Sequence, residues 1–298
     1  MMKKRPNSSR MRLIAKFIVL VCIAGNSSLI AQTPGTSLGF ESLPNLRDLG
    51  GYKTKDSLTI RRGVLYRSSQ LYRVSEADKK KLDALKLKYD FDLRTARERE
   101  AKPDEVNNVV RNVSLDILAD QSEEVYVKLD DLTRNPRRVS TAIGGGTAEA
   151  ETAMKQIYCD MVTLPSAKKA IGEFLTTLAK PASSPALFHC SSGKDRTGWT
   201  AAVLLTVLGV PKEQIIKDFE RSNDYVLPPQ KTVIENFVKA GGEPGIMPAI
   251  LGVKGIYLEA AFAEVNRVYG SMDRYIAYEL KVDAAKQKAI RDAFLEKK

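Results

Sequence analysis

The amino-acid sequence predicts an α/β fold in which helices flank a central, mostly parallel sheet. Short apolar segments typical of strands alternate with helical segments over the first two thirds of the chain. From Thr197 to the C-terminus the apolar spacing is helical throughout. The alternation favours parallel strands, and the continuous helical pattern predicts a helical C-terminal third.

The predicted strands are short and lie between polar turns. SLTI at 57–60 and GVLYRS at 63–68 are joined by two arginines, which indicates a hairpin. YDFDLRT at 89–95, RNVSLDI at 111–117 and PALFHC at 185–190 are the other predicted strands.

Helices are predicted between these strands and after them. Ser75 and Asp78 resemble a capping box before a helix that carries Leu82. Ser166 is the predicted cap of a helix over 166–180. The nearly continuous apolar pattern of RTGWTAAVLLTVLG, residues 196–209, predicts a buried helix.

A helical insertion is predicted at about 120–165. The segments SEEVYVKLDDL and AEAETAMKQIYCDMVTL both have helical spacing. Residues 134–148 between them contain a proline and three consecutive glycines, so we interpret them either as a moving lid or as an ungated surface loop.

The composition is that of a globular protein with a sizeable core, since 43% of residues are hydrophobic and 28% are charged. The formal net charge is +11, but six Lys and Arg residues and no acid lie within residues 1–31, which leaves +5 on the remainder. No basic stripe interleaved with aromatics is present, and we therefore expect no nucleic-acid partner.

Residues 1–31 are predicted to be a signal peptide. A basic start leads into the apolar segment FIVLVCIAG and then into small and polar residues, the order typical of export signals. The preferred last residue is Ala31, with Ala24 as the alternative. We expect an exported protein, periplasmic or secreted, with no stable membrane insertion after signal removal, because the apolar stretch is shorter than the ~20 residues of a spanning helix. An uncleaved anchor and lipidation of Cys22 are the other possibilities.

Two cysteines remain after the signal, Cys159 and Cys190. A bridge between them is possible, but two free thiols are the simpler interpretation. A single histidine and two cysteines without clustered spacing predict no metal site and no cofactor.

The stretch HCSSGKDRTGW, residues 189–199, carries the chemistry. A strand, a glycine-bearing loop and a helix form a geometry that binds phosphate through backbone N–H groups and the helix N-terminus. Gly193 permits the tight turn, and the guanidinium of Arg196 matches two phosphate oxygens. Cys190 lies at the base of this loop, where the N–H groups and Arg196 favour the thiolate, the reactive form of cysteine.

The pattern HCSSGKDRTG resembles the signature of the cysteine-dependent protein tyrosine phosphatase superfamily, in the form found in bacterial secreted tyrosine and lipid phosphatases. NLRDLGGY, GVLYRSSQL and FDLRTARERE are similar to the N-terminal blocks of that subfamily, and two C-terminal blocks follow. The resemblance covers about residues 45–294. It implies that residues 32–298 are a single phosphatase domain.

The resemblance also implies roles for the residues of the loop. Cys190 corresponds to a nucleophile that forms a phosphocysteine intermediate, and Arg196 to the residue that binds phosphate. Thr197 corresponds to the hydroxyl that assists release of the sulfur, and His189 to a histidine that orders the loop. The N–H groups expected to bind phosphate are those of Ser191, Ser192, Gly193, Lys194 and Asp195.

Two residues are candidates for the general acid. The Trp-Pro-Asp loop of many superfamily members is absent, because the single tryptophan is Trp199 in the helix. Asp195 lies within the loop, although the neighbouring cations oppose the retention of its proton. Asp92 ends a strand that can face the same crevice, or it is a buried partner of Arg94.

The cationic residues near the loop bear on the substrate. Lys194 is either a second site for phosphate, which favours phosphoinositides, or a general electrostatic aid. Arg47 and Asp48 are predicted to pair near the site, and Arg67 and Arg94 either to pair similarly or to touch substrate. The expected activity is hydrolysis of phosphomonoesters, with phosphotyrosine in proteins first and dual specificity possible. Phosphoinositides are the alternative substrate, and a catalytically silent phosphate-binding module is the alternative function.

Overall fold

The sheet at the centre of the protein is mostly parallel, as the sequence predicts. The computed structural model describes residues 33–107, 110–121 and 144–297. Within them the strands are β1 (Arg47–Asp48), β2 (Thr59–Ile60), β3 (Leu65–Ser68), β4 (Tyr89–Asp92), β5 (Arg111–Ser114), β6 (Ala186–His189) and β7 (Leu295–Glu296). The main sheet has the order β1-β3-β6-β4-β5. The strands β3, β6, β4 and β5 run parallel to one another, and β1 pairs antiparallel with β3 at one edge.

Helices cover the sheet and build the C-terminal third. The described helices are α1 (Glu76–Ala84), α2 (Ala96–Ala101), α3 (Thr147–Thr163), α4 (Pro165–Leu178), α5 (Arg196–Val207), α6 (Lys212–Glu220), α7 (Asn223–Val226), α8 (Lys231–Lys239), α9 (Ile246–Leu251), α10 (Gly255–Tyr269), α11 (Met272–Arg274) and α12 (Ala284–Phe294). A 3₁₀ turn spans Pro228–Gln230 and a π-helical turn spans Tyr275–Glu279.

The predicted hairpin over 57–68 is wrong. β3 lies inside the main sheet, whereas β2 pairs antiparallel with β7 at the far end of the chain. The register joins Ile60 to Leu295, and both side chains are buried. Burial of Ile60 and Leu295 therefore outweighs the local turn signal, and Leu295–Glu296, predicted as part of the C-terminal helix, form a strand instead.

The helix caps are partly as predicted. Ser75 caps α1, and its hydroxyl accepts a hydrogen bond from the N–H of Asp78 at 3.2 Å. The prediction for Ser166 is wrong, because α4 already begins at Pro165. The Ser166 hydroxyl instead donates to the carbonyl of Ile117 at 2.9 Å, which ties α4 to the segment after β5.

Several predictions fall outside the described residues. The predicted signal peptide (1–31), the helix at 122–132 and most of the predicted lid stay predictions. The described residues from 33 to 297 cluster as one compact unit. None of the helices in the described ranges is both long enough and apolar enough to cross a membrane.

The core positions the strand and helix on either side of residue 190. β6 is the middle strand of the main sheet and is buried at every position. α5 is buried along nearly its whole length, including Trp199 and Leu204. Because both elements are fixed in the core, the short segment between them has little freedom to move.

Candidate active site

Cys190 begins a loop that joins β6 to α5, and residues 190–195 are called the Cys190 loop below. The cysteine is buried, with 2% of its surface exposed. Cys159 lies half-buried on α3, and both thiols are free, so the possible bridge between the two cysteines is not formed.

The carbonyl groups of the Cys190 loop are held from the outside. The Nδ2 amide of Asn45 donates to the carbonyls of Ser192 at 3.2 Å and Gly193 at 2.9 Å. The guanidinium of Arg67 donates to the same Gly193 carbonyl at 2.8 Å. Asn45, Arg67 and Gly193 are buried, so the two hydrogen bonds to the Gly193 carbonyl are shielded from water, whereas Ser192 is exposed.

This anchoring fixes the direction of the loop N–H groups. The carbonyl of Ser191 also has an outside partner, the N–H of Gln70 at 3.1 Å. In a trans peptide the N–H of the next residue points opposite to the carbonyl. The N–H groups of Ser192, Gly193 and Lys194 therefore point away from these partners, toward the concave side of the loop, where they can bind an anion.

Gly193 is required by both space and backbone conformation. Its φ is +66°, in the left-handed region that favours glycine. A Cβ at this position would lie 2.2 Å from the carbonyl oxygen of Ser68 on β3. The glycine predicted from the sequence to allow a tight turn also allows the loop to lie directly against the sheet.

A buried ion-pair cluster supports the loop from below, and it corrects one prediction. Arg47 pairs with Asp218 on α6 at 3.3 Å, not with Asp48. Asp218 also pairs with Arg67 at 2.8 Å. The carboxylate of Asp48 instead accepts the N–H groups of Gly50 and Gly63, each at 2.8 Å. Asp218 thus fixes the guanidinium that holds the Gly193 carbonyl.

Arg196 is oriented by Glu98, a residue that the sequence analysis missed. Glu98 closes the capping box of α2 with Thr95. Its two oxygens accept from Nη1 and Nη2 of Arg196 at 2.6 and 2.8 Å, and it also contacts the hydroxyl of Ser191. Burial raises the pKa of Glu98, but Arg196 and Ser191 outweigh it and hold the pKa well below its ordinary value. The pair is therefore ionised at neutral pH, and it fixes the plane of the guanidinium.

The side chain of Asp195 faces away from the helix that it precedes. Asp195 occupies the N-cap position of α5 but makes no capping hydrogen bond. Its Oδ1 accepts from the Tyr158 hydroxyl at 2.9 Å and from the Lys194 ammonium at 3.0 Å. Its side chain is 28% exposed, so solvent can reach it beside the loop.

Lys194 is bound inside the protein, and the sequence-based interpretation of a second phosphate site finds no support in its contacts. Besides Asp195, the ammonium donates to the carbonyls of Ile250 and Gly252 at 3.0 and 3.1 Å. An ammonium has three protons, and three protein oxygens accept them. Lys194 therefore ties the C-terminal end of α9 to the Cys190 loop.

Asp92 is the buried partner of Arg94, the second of the two interpretations that the sequence allows. Its oxygens accept from Nε and Nη2 of Arg94 at 2.9 and 2.7 Å. Arg94 also pairs with Asp104 at 2.8 Å. Both arginine and aspartate are buried, and neither reaches solvent beside Cys190.

His189 lies beneath the loop and is fully buried. Its Nδ1 lies 3.1 Å from the carbonyl oxygen of Cys190. Its Nε2 lies 3.4 Å from Asp90 and 3.3 Å from Asp104. Burial lowers the pKa of His189, but the two carboxylates outweigh it and raise the pKa well above its ordinary value. The imidazolium form can therefore donate to the Cys190 carbonyl.

His189, Asp90 and Asp104 have ligand atoms within 4.8 Å of one another, a spacing that could also suit a metal ion. Arg94 already supplies a cation at 2.8 Å from Asp104, and His189 supplies another. These contacts favour a buried ion-pair cluster over a metal centre.

The remaining predicted residue, Thr197, is fully buried in the first turn of α5. Its hydroxyl has no hydrogen-bond partner within the part of the chain that the structure describes. Its position two residues from Asp195 places it on the helix that begins at the loop.

The residues that the sequence analysis missed come from four separate segments. They are Asn45, Glu98, Tyr158 and Asp218, which contact the loop or its supporting side chains. Two of them had a local signal: Asn45 lies in NLRDLGGY, and Glu98 stands three residues after Thr95, the spacing of a capping box.

The titration of His189 tests this arrangement, because it is the single histidine of the sequence. We expect its ring to be protonated at pH 7.5 in folded protein that carries no histidine tag. The raised pKa means that its stabilising contribution is complete below about pH 6.5 and is lost as the pH rises through the folded-state value. Ring ¹⁵N chemical shifts measure the charge state directly, with the urea-unfolded chain as control. A neutral ring at pH 7.5 would contradict the buried ion-pair cluster.

Comparison with known proteins supports the chemistry that the loop suggests. The sequence profile of the tyrosine phosphatase family matches residues 38–296. A protein of Cupriavidus necator, provisionally named a tyrosine-protein phosphatase, is 30% identical over 272 residues, covering 89% of this chain and 93% of its own. The triple specificity protein phosphatase PtpB of Mycobacterium tuberculosis is 28% identical, covering 78% of this chain and 90% of its own.

Among solved structures, TpbA of P. aeruginosa in complex with phosphotyrosine matches at 17% identity and a TM-score of 0.27. The match covers 70% of this chain and 90% of the TpbA chain. A likeness this weak adds no argument to the family match. The family profile spans nearly all of the described residues, and the chain belongs to the tyrosine phosphatase family.

Proposed function

We propose that the protein hydrolyses phosphotyrosine in proteins through a cysteinyl-phosphate intermediate. One observation carries the proposal: Cys190 lies at the base of a loop whose carbonyls are tied outward by Asn45 and Arg67. The loop N–H groups therefore converge where a phosphoryl group would lie, beside a guanidinium held by Glu98.

The proposed roles follow from this placement. The Cys190 thiolate attacks phosphorus, and the loop N–H groups with Arg196 stabilise the charge on the transferring phosphoryl oxygens. Thr197, which is buried in the first turn of α5, is the proposed residue that assists release of the sulfur in the second step. His189 orders the loop through the Cys190 carbonyl.

Asp195 is the better candidate for the general acid. It is partly exposed beside the loop, so a leaving-group oxygen can approach it. Asp92 is buried and bonded twice to Arg94, so a leaving-group oxygen cannot approach it. The geometry therefore favours Asp195 over Asp92.

Phosphotyrosine is proposed ahead of phosphoinositides. The phosphoinositide alternative depends on the charge of Lys194 at the mouth of the site. That ammonium is bonded to Asp195 and to two carbonyls near the end of α9. A multiply phosphorylated headgroup would have to displace these partners.

Replacement of the nucleophile tests the proposal. We expect Cys190→Ser to abolish hydrolysis of a phosphotyrosine peptide, by about 10⁴-fold or more, because the hydroxyl is a far weaker nucleophile. Cys159→Ser is the matched control and should retain activity, since Cys159 lies outside the loop. Release of inorganic phosphate from the peptide and from a phosphoinositide is measured for both. Wild-type protein that binds phosphate but hydrolyses neither substrate would support a silent binding module instead.

Glu98→Gln tests the orientation of Arg196. The substitution removes the charge that holds both guanidinium nitrogens, and we expect kcat/KM for the phosphotyrosine peptide to fall about tenfold. Glu100→Gln in the same helix is the control, because its side chain is exposed and should have no effect. An increase in activity would mean that Glu98 competes with the substrate for Arg196.

A further inference from the structure

Tyr158 is a buried phenol beside the site that the proposed mechanism does not use. It lies on α3, far in sequence from the Cys190 loop, and none of its side chain is exposed. Its ring packs edge-on against Phe219 with the centroids 5.7 Å apart, and it lies 5.9 Å from the ring of Tyr257. These contacts fix the hydroxyl in one place.

The hydroxyl of Tyr158 donates to Oδ1 of Asp195 at 2.9 Å. Lys194 donates to the same oxygen at 3.0 Å. Oδ2 also lies 3.0 Å from the Lys194 nitrogen, but it accepts no hydrogen bond from Tyr158. The two carboxylate oxygens therefore differ, and Oδ2 is the less encumbered one.

This contact also explains why Asp195 does not cap α5. An aspartate at an N-cap position ordinarily accepts an N–H from the first turn of its helix. Here the Asp195 side chain makes no such bond, and Tyr158 and Lys194 hold it instead. The first-turn N–H groups of α5 are consequently not taken by the Asp195 carboxylate, and the carboxylate stays beside the loop.

We propose that Tyr158 is a positioning residue that holds Oδ1 of Asp195 so that Oδ2 faces the leaving-group oxygen. The inference rests on the proposed function, with Asp195 as the acid. In the first step the sulfur–phosphorus bond forms, the bond from phosphorus to the leaving oxygen breaks, and the proton on Oδ2 moves to that oxygen. In the second step a water attacks phosphorus, the sulfur leaves, and the proton of the water returns to Oδ2.

The groups around this contact keep the Tyr158 hydroxyl protonated. Asp195 faces Lys194 and Tyr158 directly. Cys190 and Arg67 also act on Tyr158 through charge, and burial together with Asp195 raises the pKa of Tyr158 well above its ordinary value. Tyr158 thus stays a donor across the working pH range.

The test measures kcat/KM for two substrates, a phosphotyrosine peptide and p-nitrophenyl phosphate. Both are measured with wild type, Tyr158→Phe and Tyr275→Phe. Phenylalanine preserves the ring packing of Tyr158. Tyr275 is the control, since it is equally buried but packs against Trp199 and Tyr269. For Tyr158→Phe we expect kcat/KM, which reports the first step, to fall about tenfold on phosphotyrosine, because protonation of a poor leaving group matters most there. With p-nitrophenyl phosphate, a good leaving group, the loss should be under about threefold.

The contrast between the two substrates separates positioning from general damage to the fold. General damage would lower the rate on both substrates alike, whereas a misplaced acid slows mainly the substrate with the poor leaving group. Equal losses on both substrates in Tyr158→Phe would overturn the proposal. Tyr275→Phe should match wild type on both substrates.

A double variant distinguishes the loss of positioning from destabilisation of the Tyr158→Phe protein. Once Asp195→Asn has removed the acid, adding Tyr158→Phe should lower kcat/KM on phosphotyrosine less than twofold further, because the two residues act as one unit. Multiplicative losses would overturn the proposal. If wild type hydrolyses neither substrate, the proposed function itself fails. If wild type is active but Asp195→Asn leaves the leaving-group dependence unchanged, Asp195 is not the acid, and the role of Tyr158 fails while the proposed function stands.

Discussion

The chemistry of this protein depends on hydrogen bonds that are made to the outside of the Cys190 loop. Asn45 and Arg67 donate to two carbonyls on the outer side of the loop, so that the N–H groups of the same peptides face inward. Without them the N–H groups of Gly193 and Lys194 would have no fixed direction, and a nucleophile alone would not make a phosphate site. Arg67 can do this only because Asp218 balances its buried charge.

The buried charges behind the loop are paired with opposite charges within the protein. Two guanidinium groups are fully buried behind the loop, and Asp218 contacts both. Removing one partner of a buried pair typically costs about 3–5 kcal/mol, because an uncompensated charge remains. A second buried cluster, in which Asp104 contacts both His189 and Arg94, supports the start of the loop in the same way. The loop is thus positioned by charges that substrate never meets.

Much of the architecture could be predicted from the sequence, because the signals are local. The parallel strands, the buried helix after Arg196 and the turn at Gly193 follow from apolar runs and one glycine. The pairing of β2 with β7 could not be predicted, since Ile60 and Leu295 lie near opposite ends of the described chain and the nearer turn gave the stronger signal. Lys194 shows the same limit: its charge was evident, but the carbonyls that bind it belong to residues 250 and 252.

NMR observation of anion binding tests most directly whether the N–H groups of the Cys190 loop point inward. Tungstate is added to ¹⁵N-labelled protein, and amide chemical shifts are followed residue by residue. We expect the largest chemical-shift changes at the amides of Ser192, Gly193 and Lys194. We expect Asn45→Ala to weaken tungstate binding and to reduce the changes at these three amides relative to the others. Tungstate binding that leaves these three amides unmoved, or that persists unaltered in Asn45→Ala, would contradict it.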